Sequence, residues 1–343
     1  MLVEPDLDRR ELAAALDRHH GLAPLALRFV PAGETAWCYR LTDRHGGRWF
    51  LKLSRPAAAD PDPAEAALVL ADALAEQGLP VPRPRPTPSG QPWCWLAGLR
   101  LAVFELVDGD PLDDRALADP GMAGRVARLV AAIHAATPAS AVPVPPVERF
   151  EVAADELGRR LAALDPNAGA AADGLAAEAL ALVWPRRRAL LDLVGRVQDL
   201  GAAAGAPAQE RVLCHGDLIG DNLLVDRAGR LWVVDWDAAR LASRELDLAL
   251  FTGPGFGRFL AAYEADAGPC DLDPDPDLVA FVLLRRNLDD LADWLGAVLD
   301  GDRPEPQRRA DLDGVGWCLS RRPELEARID RTRRLLAGRR RTS

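Results

Sequence analysis

The residues best suited to do chemistry are concentrated in two short strings, HGDLIGDNLLVD at 215–226 and LWVVDWD at 231–237. Asp217 falls where a loop leaves a short β run. Asn222 lies where the next run begins, and Asp235 ends a third. Oxygen ligands of this kind suit a hard cation. Magnesium commonly takes one or two carboxylates and leaves its remaining positions to water and substrate phosphates. Asn222 and Asp235 are therefore the candidate metal ligands, and Asp217, offset from them, is placed to accept a proton from a substrate hydroxyl. His215 joins Asp217 in the same loop as a candidate, chiefly as an orienting residue. Asp237 is a candidate for a second metal ion or for capping the segment that follows. A separate signal comes from the cations: of 42 basic residues 41 are arginine, and the only lysine is Lys52. A chain that writes Arg everywhere else and Lys here points to a need for a compact ammonium at that position.

The flanking patterns say which elements must carry these groups. Residues 8–20 have a helical period. LALRFVPAGETAWCYRLTD then alternates, and Gly46–Gly47 marks a hairpin before RWFLKL, which gives three antiparallel strands with Lys52 on the third. PDPAEAALVLADALAEQG reads as a helix with Asp62 near its start and Gly78 at its stop. A proline-punctuated stretch follows, with a turn at Ser89–Gly90. PWCWLAG and LRLAVFELV complete a five-stranded sheet with one long helix. Beyond VDGDP the spacing turns helical over 115–137 and about 151–205. RVLCHGD, NLLVD and RLWVVDW are short strands, and from Glu245 onward the chain is again mainly helical.

The order H-G-D-x-x-x-x-N, strand, Asp-Trp-Asp resembles the catalytic loop and metal segment of the aminoglycoside phosphotransferase family, which is similar to protein kinases. The resemblance implies an α+β, bilobal protein-kinase-like fold. Its N-lobe, 1–107, would hold a five-stranded antiparallel sheet plus helix, with a hinge at about 104–108. Its larger, mainly helical C-lobe, 108–343, would hold the catalytic loop 215–222, the metal segment 235–237 and a helical substrate region. For the nucleotide it implies Lys52 on the α/β-phosphates with Glu65 as its partner, Glu76 being the competing one. Gly33 and Thr35 would lie over the phosphates, and Glu105 and Val107 in VFELVDG would lie at the base. Ile133–His134 and Asp247 match the family's Leu-His pair and a supporting aspartate. The cofactors implied are Mg²⁺ and ATP or GTP as phosphate donor. PAGETAW has one glycine where kinases have G-x-G-x-x-G, and Trp236 stands where Phe-Gly follows the metal aspartate, so activation-loop switching is not expected.

The acceptor implied is a small-molecule hydroxyl. TPSGQPWCWLAGLRLAVFELVDG and VVDWDAARLASRELDL look closest to spectinomycin-type enzymes, so an aminoglycoside or aminocyclitol antibiotic, with resistance or self-protection as the role, is the first expectation. A nucleoside antibiotic, macrolide, choline-like alcohol or sugar is the alternative, and a non-catalytic nucleotide-binding pseudokinase the lesser one. Asp289, Asp293 and Glu264 are candidate contacts to a cationic substrate. Arg285 and Arg286 lie one turn before the cluster Asp289, Asp290 and Asp293 and could neutralise it through (i, i+3) and (i, i+4) pairs.

Composition narrows the class further. A net charge of −10 argues against nucleic acid as a partner, because a phosphate backbone needs a basic footprint. No apolar run reaches the roughly 20 residues that span a bilayer, and the charged N-terminus does not resemble a signal peptide. Five scattered cysteines without a CxxC pair suggest neither a disulfide framework nor a zinc site, which fits a cytoplasmic enzyme with no obligate protein partner. Cys214 reads as a small buried hydrophobe, and His19, His20 and His45 read as solvated.

Overall fold

The computed structural model describes residues 1–31, 35–57, 62–136, 146–151, 154–163, 174–204, 211–267 and 273–340. In chain order it begins with α1 (Arg9–His20), β1 (Pro24–Val30), β2 (Ala36–Asp43), β3 (Arg48–Ser54), α2 (Pro63–Glu76), β4 (Trp93–Leu96), β5 (Leu99–Glu105) and β6 (Gly109–Pro111). Next come α3 (Asp114–Ala118), α4 (Pro120–Ala135), α5 (Ala154–Ala163), α6 (Gly174–Val183) and α7 (Arg187–Ala204). Short strands β7 (Val212–Cys214), β8 (Leu223–Asp226), β9 (Leu231–Val233) and β10 (Arg240–Ala242) precede α8 (Glu245–Leu248), α9 (Phe256–Asp266), α10 (Pro276–Asp300), α11 (Glu305–Ser320) and α12 (Arg322–Arg339). The chain forms two compact units, one of Met1–Val147, Val212–Leu241 and Arg258–Pro269, the other of the remaining residues. Among the described residues no helix is long and apolar enough to cross a membrane.

The first unit is built on the expected five-stranded antiparallel sheet, in the order β1-β2-β3-β5-β4. Alternation sorts its side chains onto two faces. Trp37, Tyr39 and Leu41 on β2, Leu51 and Leu53 on β3, and Leu101 and Val103 on β5 form one buried cluster with Leu12, Ala15 and Leu16 of α1. The intervening residues take the other face, and there the register aligns Cys38, Lys52 and Ala102 across three strands. A single alternating pattern thus buries one face and presents the lysine on the other. A second small sheet, β6-β8-β9, brings Gly109 opposite Asp226 and Leu223 opposite Val233.

Helix ends follow local chemistry. Asp8 accepts the amide of Arg10 at the start of α1, and Gly21 at φ 61° closes it. The helical spacing expected over 115–137 is carried by two helices, because Asp119 ends α3 and caps α4 just before Pro120. Within 151–205 the described residues form α5, α6 and α7, with Pro185 between the last two. His20 is a correction to the solvated reading: it is 4% exposed at the end of α1, with Nε2 3.8 Å from the Cys94 thiol. Burial, with Arg85 and His19 adding to it, lowers its pKa to about 4.

The second unit is helical and organised on α10, whose residues from Leu278 to Leu284 are all buried. An ion pair between Arg285 and Glu148, at 2.8 Å, is buried within it.

Candidate active site

The loop between β7 and β8 holds three of the candidate residues, His215, Asp217 and Asn222. His215 is fully buried, with Nε2 3.0 Å from the Val234 carbonyl, while its Nδ1 accepts the Asp217 amide at 3.2 Å. Those partners assign the proton to Nε2. Trp236 packs edge-on against the ring at 4.7 Å, so the imidazole is held on both ring nitrogens and on one face. The Asn222 side-chain amide donates both to the Asp217 carbonyl and to its Oδ2, each at 2.8 Å. This pair of hydrogen bonds fixes the carboxylate and leaves the Asn222 side-chain oxygen, Oδ1, as the ligand-type atom.

Gly216 is required by close approach. Its φ is 82°, and a Cβ there would lie 2.6 Å from the Ala238 carbonyl oxygen. The Asp217 loop is thereby pressed against the segment that holds Asp235 and Asp237. Asp235 itself has φ 62° and ψ 74°, a left-handed backbone that a non-glycine residue adopts only where its surroundings impose it. The Val234 amide bonds the Asn222 carbonyl at 3.0 Å, which joins the two candidate metal-ligand segments directly.

Lys52 Nζ lies 2.7 Å from Asp235 Oδ1 and 2.7 Å from Asp237 Oδ2. Burial pulls the lysine pKa down, but the two carboxylates outweigh it, and the net shift is upward. Burial likewise raises the Asp235 carboxyl, and the neighbouring ammonium brings it below the usual carboxylate range. A cation already seated between these oxygens shows the electrostatic character of the place, and with Asn222 they form an all-oxygen donor set that fits magnesium.

The expected Lys52–Glu65 pair is not made. Glu65 Oε1 accepts from Arg100 at 3.3 Å, and Arg100 also bonds Asp62. Glu76, the other candidate, pairs with Arg83 at 2.5 Å. Glu105 ends β5 opposite Trp49, and the next amide, Leu106, bonds the Arg48 carbonyl at 3.0 Å, with Val107 half-buried just beyond. Thr35 is exposed at the entrance to β2, and Gly33 lies outside the described residues. Glu264 is half-buried on α9 in the first unit. In the second unit, Asp289 on α10 has Arg285 at 3.8 Å one turn away, and partial desolvation of the Asp293 carboxyl raises its pKa against the pull of Arg303. Cys214 is fully buried. Sequence reasoning passed over Arg100. Its signal was available: a lone guanidinium inside the apolar run LRLAVFE.

A sequence model described as the phosphotransferase enzyme family (APH) matches residues 26–282. No curated protein sequence matches significantly. Among solved structures the chain is similar to the spectinomycin phosphotransferase APH(9)-Ia in complex with ADP and spectinomycin. The identity is 17%, covering 91% of this chain and 94% of that one, with a TM-score of 0.73. It is also similar to macrolide 2′-phosphotransferase MphH from Brachybacterium faecium (20% identity, 90% and 97% covered, TM-score 0.54). Choline kinase LicA from Streptococcus pneumoniae is a third (15%, 91% and 98%, 0.58). At such identities the shared property is the fold, and the α+β kinase-like architecture expected from the motifs is the one found.

Proposed function

The chain belongs to the phosphotransferase enzyme family (APH), and from that premise we propose that it moves the γ-phosphate of ATP or GTP onto a hydroxyl of an aminoglycoside- or aminocyclitol-type antibiotic. The observation that carries the reaction is the Asp217 carboxylate held by Asn222 in a loop bonded to the Asp235 segment, with Lys52 between Asp235 and Asp237. The sheet of the N-lobe, 1–107, would carry the nucleotide, and the C-lobe, 108–343, the catalytic loop and the acceptor. A nucleoside triphosphate donor fits a cytoplasmic location.

In this reading Asp217 accepts the proton of the acceptor hydroxyl as that oxygen bonds to the γ-phosphorus. The bond from phosphorus to the β–γ bridging oxygen breaks, and the nucleoside diphosphate leaves. The Asn222 amide keeps the Asp217 carboxylate aimed, so the hydroxyl meets a fixed acceptor and little reorganisation remains for the reacting step. Lys52 turns from its two aspartates to the phosphate oxygens. Asn222 and Asp235 would hold magnesium, with Asp237 as a further ligand, and the ion when bound supplies charge neutralisation at the phosphate oxygens.

The sequence segments 87–109 and 233–248 support the aminocyclitol acceptor. The test is a panel of antibiotics and hydroxylated metabolites incubated with nucleotide and magnesium, read by mass spectrometry for added phosphate. Asp217→Ala should lower transfer by about 10²–10⁴-fold while nucleotide binding survives. Turnover retained in that variant would remove Asp217 from the mechanism.

A further inference from the structure

We propose that Arg100 is a positioning residue of the phosphotransfer site: its buried guanidinium ties the first turn of α2 to the strand beside Lys52, and through α2 holds the segment that carries Asp235 and Asp237. The inference rests on the phosphotransfer reading above. Ser54 faces Arg100 and Lys52 faces Ala102 across β3 and β5, so the two cations lie on one face of the sheet, two residues apart along the strands. Arg100 is 1% exposed. Every other residue of β5 before its terminal Glu105 is apolar, and an aliphatic side chain would fill this position without the cost of desolvating a charge. The guanidinium does what an aliphatic residue could not. It donates to Ser54 Oγ at 3.1 Å, to Asp62, and to Glu65 Oε1 at 3.3 Å, while its buried Nε has no partner among the described residues.

Asp62 is the pivot of this arrangement. Its carboxylate caps α2 through the Ala64 amide at 2.9 Å and holds the Ala57 amide at 2.9 Å. Burial works against its ionisation, yet these bonds together with Arg100 leave its pKa below the ordinary value. From there α2 runs against the Trp236–Ala238 turn, where Pro63, Ala66, Ala67 and Leu70 face Ala239 across a narrow cleft. The two cations thus divide four carboxylates. Lys52 takes Asp235 and Asp237, and Arg100 takes Asp62 and Glu65. Glu65 serves the helix anchor, and α2 transmits the position of the sheet to the turn behind the metal-binding aspartate.

The test compares Arg100→Met, Arg100→Lys, Glu65→Gln and the Arg100→Met/Glu65→Gln pair. Calorimetric binding of magnesium–ADP, hydrogen exchange over 63–76 and 235–239, and kcat and KM separately are the readouts. Arg100→Met should weaken nucleotide binding about tenfold or more and raise exchange in both segments, with Arg100→Lys recovering part of each. Glu65→Gln should add little once Arg100 is gone, because the two act as one unit. A folded Arg100→Met protein with unchanged affinity and unchanged exchange at 235–239 overturns the proposal. Should Arg100→Met not fold, Arg100→Lys and Glu65→Gln carry the same comparison, and wild-type behaviour in both rejects it. A wild-type protein that binds no nucleotide would reject the phosphotransfer reading instead, and the exchange data would still decide the role of Arg100.

Discussion

Asp217 depends on its neighbours for direction, and the tightest of those dependencies is steric. Gly216 has a left-handed backbone, and Ala238 O stands where its Cβ would be. Gly216→Ala would meet about 1–2 kcal/mol of backbone penalty and would also push the catalytic loop away from the Asp235 segment. We expect a small drop in melting temperature and a fall in kcat of about 10²-fold, as displacements of this kind produce. A variant with native kcat would show that the close approach is dispensable. That Asp217, Asn222 and Asp235 lie close along the chain was legible in the sequence because their spacing is short and local. The partner of Lys52 was not. Placing Glu65 on the helix after β3 says which element it occupies, but Arg100, 35 residues on, decides where its carboxylate goes.

Among the elements, the contact of α1 with β4 holds a buried imidazole. His20 has a folded pKa of about 4 against an ordinary 6.5, so the unfolded chain binds the extra proton first as pH falls. The stability it contributes is complete above pH 6.5 and is lost progressively down to about 4, at most about 3 kcal/mol. His20→Leu should remove that slope, and urea unfolding of both proteins at several pH values between 7 and 4 measures it. Equal pH dependence in the two would reject the assignment. The helix carrying this residue was readable from its period and from Asp8 and Gly21, whereas the burial of its last residue was not. A histidine at the end of an amphipathic helix looks the same whether the strand above it is present or absent. The short strand β6 escaped notice for a related reason. Gly-Asp-Pro has no pattern of its own, and its pairing with β8 comes entirely from the partner strand.

At the level of the whole molecule, the family match ends at residue 282, and the helices beyond it complete the second unit. Phosphotransfer chemistry is legible because it needs few residue types in a fixed order. Acceptor recognition is not, because helices such as α10 carry carboxylates that neighbouring arginines also use, as Arg285 does with Asp289. One feature of the chain nevertheless isolates the Lys52 face of the sheet chemically. Lys52 is the only lysine, and it is clamped by Asp235 and Asp237. Amine-selective acylating reagents therefore have a single side-chain target. The clamp keeps that target protonated, and hence a poor nucleophile, at mildly alkaline pH. Intact-mass analysis of the timed reaction should show slow single labelling of the side chain, faster labelling in Asp235→Asn and Asp237→Asn, and equal rates in all three would mean that the clamp does not hold in solution. A bound nucleotide would be read in the same spectrum as protection, making this one amine a built-in occupancy tag for the protein.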